Sequence, residues 1–101
     1  MKKFYLAITL FLITATSFAQ KAVLSGKVTD ADDKLSLPGA MIVIESEKKY
    51  TTSGYTGDFE FLNLNAGTYQ VSVKYIGYTS ITQEITVVSG KKNVLNFSLK
   101  V

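Results

Sequence analysis

The chain has 101 residues, is 47% hydrophobic and 12% aromatic, and carries a formal charge of +3 with neither histidine nor cysteine. Without cysteine there is no disulfide and no thiolate metal site; without histidine or arginine the commonest general base and the bidentate clamp for carboxylates and phosphates are both missing. Lys2 and Lys3 stand ahead of all eight acids, so the remainder has nine lysines against eight carboxylates and lacks the concentrated basic face that nucleic acid requires.

Met1-Lys2-Lys3 is a short positive start, and residues 4–13 form an apolar run with one threonine. Residues 14–19 then become small and polar, with Ser17 and Ala19 at the positions a signal peptidase reads. This is the layout of a secretory signal peptide over residues 1–19, cleaved between Ala19 and Gln20. The alternative is an uncleaved membrane anchor, but a spanning helix needs about 20 apolar residues, roughly twice this run, which favours a cleaved leader; residues 20–101 are expected not to span a membrane. No cysteine follows the run, which excludes lipid attachment at the new N-terminus.

Beyond the leader the hydrophobic period is two, the signature of strands. Leu24, Gly26 and Val28 share one face against Ser25, Lys27 and Thr29. A polar connection at residues 30–34 and a Leu37-Pro38-Gly39 turn lead to Ala40-Met41-Ile42-Val43-Ile44, a continuous apolar run that predicts a strand covered on both faces. Residues 45–49 suggest a charged hairpin, followed by β-prone Tyr50-Thr51-Thr52. Gly54 and Gly57 bracket a turn before Phe59 and Phe61, with Leu62 and Leu64 behind them. Asn65-Ala66-Gly67 turns again. Tyr69, Val71, Val73 and Tyr75 then alternate with Gln70, Ser72 and Lys74 as the clearest half-buried strand, which Gly77 ends. Ile81, Ile85 and Val87 make a further strand; after a turn at residues 89–93, Leu95, Phe97, Leu99 and Val101 make the last.

About seven short strands with turns every 8–12 residues predict one all-β domain over residues 20–101, an antiparallel sandwich. At this size a single core is only marginally sufficient, so packed side chains must supply the stability that disulfides give other small exported domains.

Five motifs in order resemble the carboxypeptidase regulatory-like domain family, a transthyretin-like Greek-key sandwich. They are Gly26-Lys27-Val28-Thr29-Asp30; Leu37-Pro38-Gly39-Ala40; Gly57-Asp58-Phe59-Glu60-Phe61; Leu64 with Gly67 and Tyr69; and Tyr75-Ile76-Gly77-Tyr78. With the flanking strands the resemblance covers nearly all of residues 20–101. It implies structural roles for Gly26, Pro38, Gly39, Gly57, Phe59, Leu64, Gly67, Tyr69, Gly77 and Tyr78. Gly57 supplies a turn position where a Cβ is costly, and Gly67 a reversal that sets the register of the next strand. One departure stands out: Ser53-Gly54 replaces the family's usual Thr-Asp, which is expected to loosen side-chain capping of that turn.

The resemblance also implies a setting. In Gram-negative bacteria such a domain behind a signal peptide is typical of TonB-dependent outer-membrane receptors, where it lies in the periplasm ahead of a plug and a barrel. Two readings remain: the N-terminal piece of such a receptor, or a free-standing secreted domain. Either way the partner is a protein of the cell envelope or the rest of a receptor chain, and the location is the periplasm, the outer membrane or outside the cell.

Other constellations carry less. Asp30, Asp32 and Asp33 gather carboxylates as calcium sites do, but the glycine and terminal glutamate of an EF-hand are missing and Lys34 competes; a solvated turn is expected. Related pilin and adhesin sandwiches form Lys–Asn isopeptide bonds, and Lys27 with Asn96 are the available pair. Alternation puts both on the polar side, away from the buried setting that reaction needs. Tyrosines 50, 55, 69, 75 and 78 suggest a sugar-stacking platform; alternation assigns Tyr69 and Tyr75 to the core and leaves Tyr50, Tyr55 and Tyr78 for exposure. The sequon Asn96-Phe97-Ser98 is idle behind a bacterial-type leader. A purine-degrading hydrolase shares the transthyretin fold, but its site depends on histidines and arginine, absent here.

The sequence therefore predicts no catalytic residue, metal or cofactor, and a non-catalytic interaction domain. The alternative is a carbohydrate-binding or adhesin-like surface module. If the leader is read correctly, chain recovered from outside the cytoplasm begins at Gln20 by intact mass, after allowance for cyclisation of that glutamine; material beginning at Met1 in the envelope overturns cleavage.

Overall fold

The computed structural model describes residues 21–101, so the leader and the cleavage site at Ala19 and Gln20 lie outside the described residues. The described chain forms eight strands: β1 (Ala22–Asp30), β2 (Met41–Ile44), β3 (Lys49–Thr52), β4 (Asp58–Leu64), β5 (Gly67–Lys74), β6 (Ile81–Val87), β7 (Lys92–Val94) and β8 (Phe97–Leu99). They make two sheets, one ordered β3-β2-β5-β6, the other β4-β1-β7 with β8 also on β1. A single 3-10 turn, Glu45–Glu47, closes the β2–β3 hairpin, with Lys48 left-handed at φ 52°. The all-β sandwich is as the periodicity predicts.

Alternation decides what lies between the sheets. Leu24, Val28, Ile42, Ile44, Leu64, Val71, Val73 and Leu99 are fully buried. Phe59 packs edge-on against Phe61 at 6.2 Å and tilted against Phe97 at 6.0 Å between ring centres, which ties β8 to β4 through aromatic contact. Removing a side chain such as Leu24 or Ile42 from such a core typically costs about 2–5 kcal/mol.

The structure corrects the sequence reading in four places. First, β2 is not covered on both faces: Met41 is 44% exposed and Val43 half-buried, because nothing among the described residues lies over the outer face of that sheet. Second, Leu62 points outward at 54% exposure. Asn63 takes a left-handed φ of 59° and inserts one extra residue into β4, visible as a register shift from Ala22↔Leu64 to Leu24↔Phe61. This bulge moves the inward phase from Phe61 to Leu64 and leaves Leu62 outside. Third, the sandwich is not purely antiparallel, since β7 and β8 both run parallel to β1. Fourth, the expected single last strand is two strands, broken at Leu95 and Asn96.

That break has a local cause. The Leu95 N–H donates to the Ser25 carbonyl at 2.8 Å, while the Leu95 carbonyl oxygen turns onto Gly26. A Cβ at Gly26 would lie 1.7 Å from that oxygen, so only glycine fits there. One residue on, the Asn96 side chain takes over the ladder by accepting the Lys27 N–H at 3.0 Å through Oδ1.

Gly26→Ala is therefore expected to destabilise far more than Gly39→Ala. The latter residue is also left-handed, at φ 85°, but its added methyl meets open space and costs only about 1–2 kcal/mol of backbone strain. Equal denaturation midpoints for the two variants would refute the close-approach account.

Candidate functional site

The first and fifth motifs meet at one pole of the sandwich, built from the end of β1, the connection after it, the β5–β6 turn and the C-terminal strand, while Leu64, Gly67 and Tyr69 lie at the other. Asp30 closes β1 and is only 8% exposed. Its Oδ1 accepts the N–H groups of Asp32 at 2.7 Å and Asp33 at 3.2 Å, and its Oδ2 accepts the Tyr78 hydroxyl at 2.5 Å. The last residue of the first family motif thus meets the last residue of the fifth. Tyr78 reaches it because residues 75–78 form a turn, with Gly77 at φ 82° and the Tyr78 N–H donating to the Tyr75 carbonyl at 3.0 Å. The rings of Tyr75 and Tyr78 pack at 5.5 Å. Ala31 N–H to Leu99 carbonyl, 2.8 Å, and Thr79 N–H to Lys100 carbonyl, 2.7 Å, fasten the last strand to the same pole.

Two expectations change here. Residues 30–34 are not a merely solvated turn: Asp30 is buried, and Asp33 accepts the Leu35 N–H at 2.9 Å. Both carboxylates hold their own loop's backbone. Tyr78 is not an exposed stacking ring but a half-buried, hydrogen-bonded one, and Tyr75 is half-buried against the core rather than within it. Tyr69 is core, at 7% exposure, and its hydroxyl donates to the Asn65 carbonyl at 2.5 Å across the β4–β5 turn. Tyr50 and Tyr55 are exposed.

The Tyr78 hydroxyl, then the Asp32 and Asp33 N–H groups, hold the Asp30 carboxyl below its ordinary 3.8. The same hydrogen bond, with burial, pushes the Tyr78 phenol from 10.0 up to about 12. Burial and then Glu47 raise the Tyr69 phenol. The Thr56 hydroxyl, 2.6 Å from Asp58 Oδ1, lowers the Asp58 carboxyl.

The other motif residues are structural as well. Gly57, at φ 78°, packs where a Cβ would lie 2.6 Å from the Val28 carbonyl oxygen, and its own carbonyl accepts the Val28 N–H at 2.8 Å. Gly67 opens β5 near full extension at φ 159°, and the left-handed residue before that reversal is Asn63, in the bulge of β4. The Pro38-Gly39 turn is held by Ser53, whose buried hydroxyl donates to the Leu37 carbonyl at 2.6 Å and accepts the Ala40 N–H at 2.8 Å. The Ser53 hydroxyl therefore serves the Pro38-Gly39 turn, whereas the turn at Gly54 to Gly57, where the sequence predicts looser side-chain capping, is closed by backbone bonds from the Gly57 N–H to the Gly54 carbonyl at 2.9 Å and from the Gly54 N–H to the Asp58 carbonyl at 2.7 Å. Sequence reasoning also missed Asn93, whose Oδ1 accepts the Val88 N–H at 2.9 Å while Nδ2 donates to the Val23 carbonyl at 3.0 Å. An asparagine ending a Gly-Lys-Lys turn was the available signal. Lys27 and Asn96 are both exposed, on the outer face as alternation predicts.

Among the described residues every buried side-chain nitrogen or oxygen has a hydrogen-bond partner, and no three carboxylates gather as a metal site. Two shallow depressions with apolar lining reach the surface. Met41, Val43 and Tyr50 line a shallow depression on the outer face of β2 and β3, and Met41 continues into a second one with Tyr75 and Ile76.

Comparison with known proteins follows this geometry closely. The carboxypeptidase regulatory-like domain profile matches residues 23–100. The chain belongs to that family. A curated relative, TonB-dependent receptor P3 of Formosa agariphila, is 33% identical over 78 residues, covering 77% of this chain and 8% of the receptor. The chain thus spans a small fraction of that relative's length. The fold also resembles the group B streptococcus pilus 2b backbone protein, at TM-score 0.67 and 18% identity, covering 79% of this chain and 41% of that one. A putative carbohydrate binding protein from Bacteroides uniformis gives TM-score 0.61 at 17% identity, covering 80% and 42%. In this regulatory-like domain, then, the five motifs are the fold's own fastenings.

The Asp30–Tyr78 bond sets a pH window. A lowered Asp30 contributes stability above pH 3.8 that fades as pH falls further; a raised Tyr78 contributes stability below pH 10 that fades as pH rises toward about 12. Tyr78→Phe is expected to lower the melting temperature by roughly several °C at neutral pH, to flatten the alkaline decline, and to remove one late-ionising phenol from an ultraviolet titration. An unchanged melting temperature and titration would show that the bond contributes nothing.

Proposed function

We propose that this domain is an exported, non-catalytic interaction module of the Gram-negative cell envelope, the periplasmic accessory domain of a TonB-dependent receptor or a secreted relative. The observation that carries it is the 78-residue match to a receptor of that class, on a chain whose first residues read as a secretion signal. The site chemistry supports the non-catalytic part. Asp30, Asp33, Ser53, Tyr78 and Asn93 are all engaged with the chain's own backbone or one another, which supports a structural role for them over a catalytic one.

A second reading, a sugar-binding or adhesin-like surface module, is favoured by one feature. Tyr50 is 71% exposed beside Val43 and Met41, an aromatic face open to a pyranose ring. Of its expected companions, Tyr78 is held by Asp30 and Tyr55, though 98% exposed, does not line that depression, so the platform is a single ring.

Fractionation of cells producing the full chain separates these readings. The envelope reading requires recovery from the periplasmic or outer-membrane fraction, and cytosolic recovery overturns it. Gel retardation by soluble polysaccharides, lost in Tyr50→Ala, would instead establish the sugar reading.

A further inference from the structure

Both sheets of a sandwich end in edges, and natural proteins guard such edges against pairing. Three of the four edges here are guarded. β3 has only four residues and starts at Lys49, whose Nζ reaches across to the Leu62 and Asn63 carbonyls at 3.3 and 3.2 Å. Those carbonyls belong to the bulge in β4, so one lysine covers two edges. The β7–β8 edge consists of two three-residue strands broken at Leu95 and Asn96.

β6 has none of these devices. It runs unbroken for seven residues, Ile-Thr-Gln-Glu-Ile-Thr-Val, without proline, glycine or lysine. It pairs with β5 along its whole length, from Val73↔Ile81 to Gly67↔Val87, and among the described residues with no other strand. Its inward side is incompletely covered, since Ile81 and Ile85 are half-buried while Val87 is buried. Its outward side is pinned: Thr82 bonds Ser72 at 2.8 Å, Glu84 accepts from Gln70 at 2.9 Å and Thr86 bonds Thr68 at 3.2 Å. These cross-strand pairs hold β6 in register, so its free backbone groups form a rigid template.

We propose that the outer edge of β6 receives an extended segment of a partner protein, which adds a fifth strand to the β3-β2-β5-β6 sheet. The inference rests on reading the domain as an interaction module and names the surface that does the interacting. The edge offers N–H and C=O groups at strand spacing, so the occupant is extended. It alternates, with apolar side chains completing the cover of Ile81 and Ile85 and polar ones beside Thr82 and Thr86. A lysine or arginine stands opposite Glu84, the only charge on β6. A second copy of the chain is the poorer occupant. Antiparallel pairing of β6 with itself over all seven residues places Glu84 against its symmetry mate, and like charges directly opposite destabilise a strand pair.

The probe is a blocked seven-residue peptide alternating valine and threonine around a central lysine, titrated into the isotopically labelled domain. Amide shifts should saturate and concentrate on residues 81–87. A glutamate-centred peptide should bind roughly two- to fivefold more weakly, a proline-interrupted one should not bind, and Glu84→Lys should reverse the charge preference. If that variant does not fold, the peptide comparison on the unaltered domain still decides. Shifts elsewhere, no saturable shifts at millimolar peptide, equal binding of the proline peptide, or self-association through β6 would each overturn the proposal. An exported domain that ignores the peptide overturns the edge alone; a cytosolic one that binds it overturns the envelope reading alone.

Discussion

The approach of the Leu95 carbonyl to Gly26 is the contact on which the rest of the sandwich depends. β1 is the only strand of its sheet paired on both sides, with β4 on one and β7 and β8 on the other. The chain's last strands must lie parallel to its first, and the kink between them must pass over β1 at a point where no side chain stands. Glycine at position 26 permits this. Given that passage, Phe97 meets Phe59, Leu99 enters the core, and the Asn96 carboxamide resumes the ladder. A side chain at position 26 would separate β8 from β1 and open the core at both chain ends.

The same economy governs the polar groups. A domain of this size with no disulfide must hold its loops by other means, and here four short side chains do so. Asp30 ties its own loop to the β5–β6 turn, Asp33 closes that loop, Ser53 holds the Pro38-Gly39 turn, and Asn93 secures the β6–β7 turn to β1. Each accepts or donates to backbone groups that would otherwise lie buried without partners.

The outer face of the β3-β2-β5-β6 sheet divides in two, apolar over Met41, Val43 and Tyr50, and polar over the hydrogen-bonded pairs between β5 and β6. The polar half stiffens the strand whose free edge is longest. A rigid edge beside a near-neutral surface suits recognition by backbone pairing, in which side chains tune selectivity.

Much of this was legible in the sequence. Alternation of period two gave away the strands, because inward and outward side chains on a strand must differ in polarity when one face is buried. Turn residues such as Gly57 and Gly77 marked the reversals, since the left-handed region is open to glycine at little cost. Local patterning could not reveal which strands pair, because hydrogen-bonding partners far apart in sequence leave no periodic trace. Only the tertiary structure showed that β7 and β8 run parallel to β1, that the Asn63 bulge brings Leu64 inward behind an outward Leu62, and that one face of β2 is open. Likewise Asp30 and Tyr78, 48 positions apart, read singly as a loop acid and a surface ring; their roles come from a meeting that only the folded chain brings about.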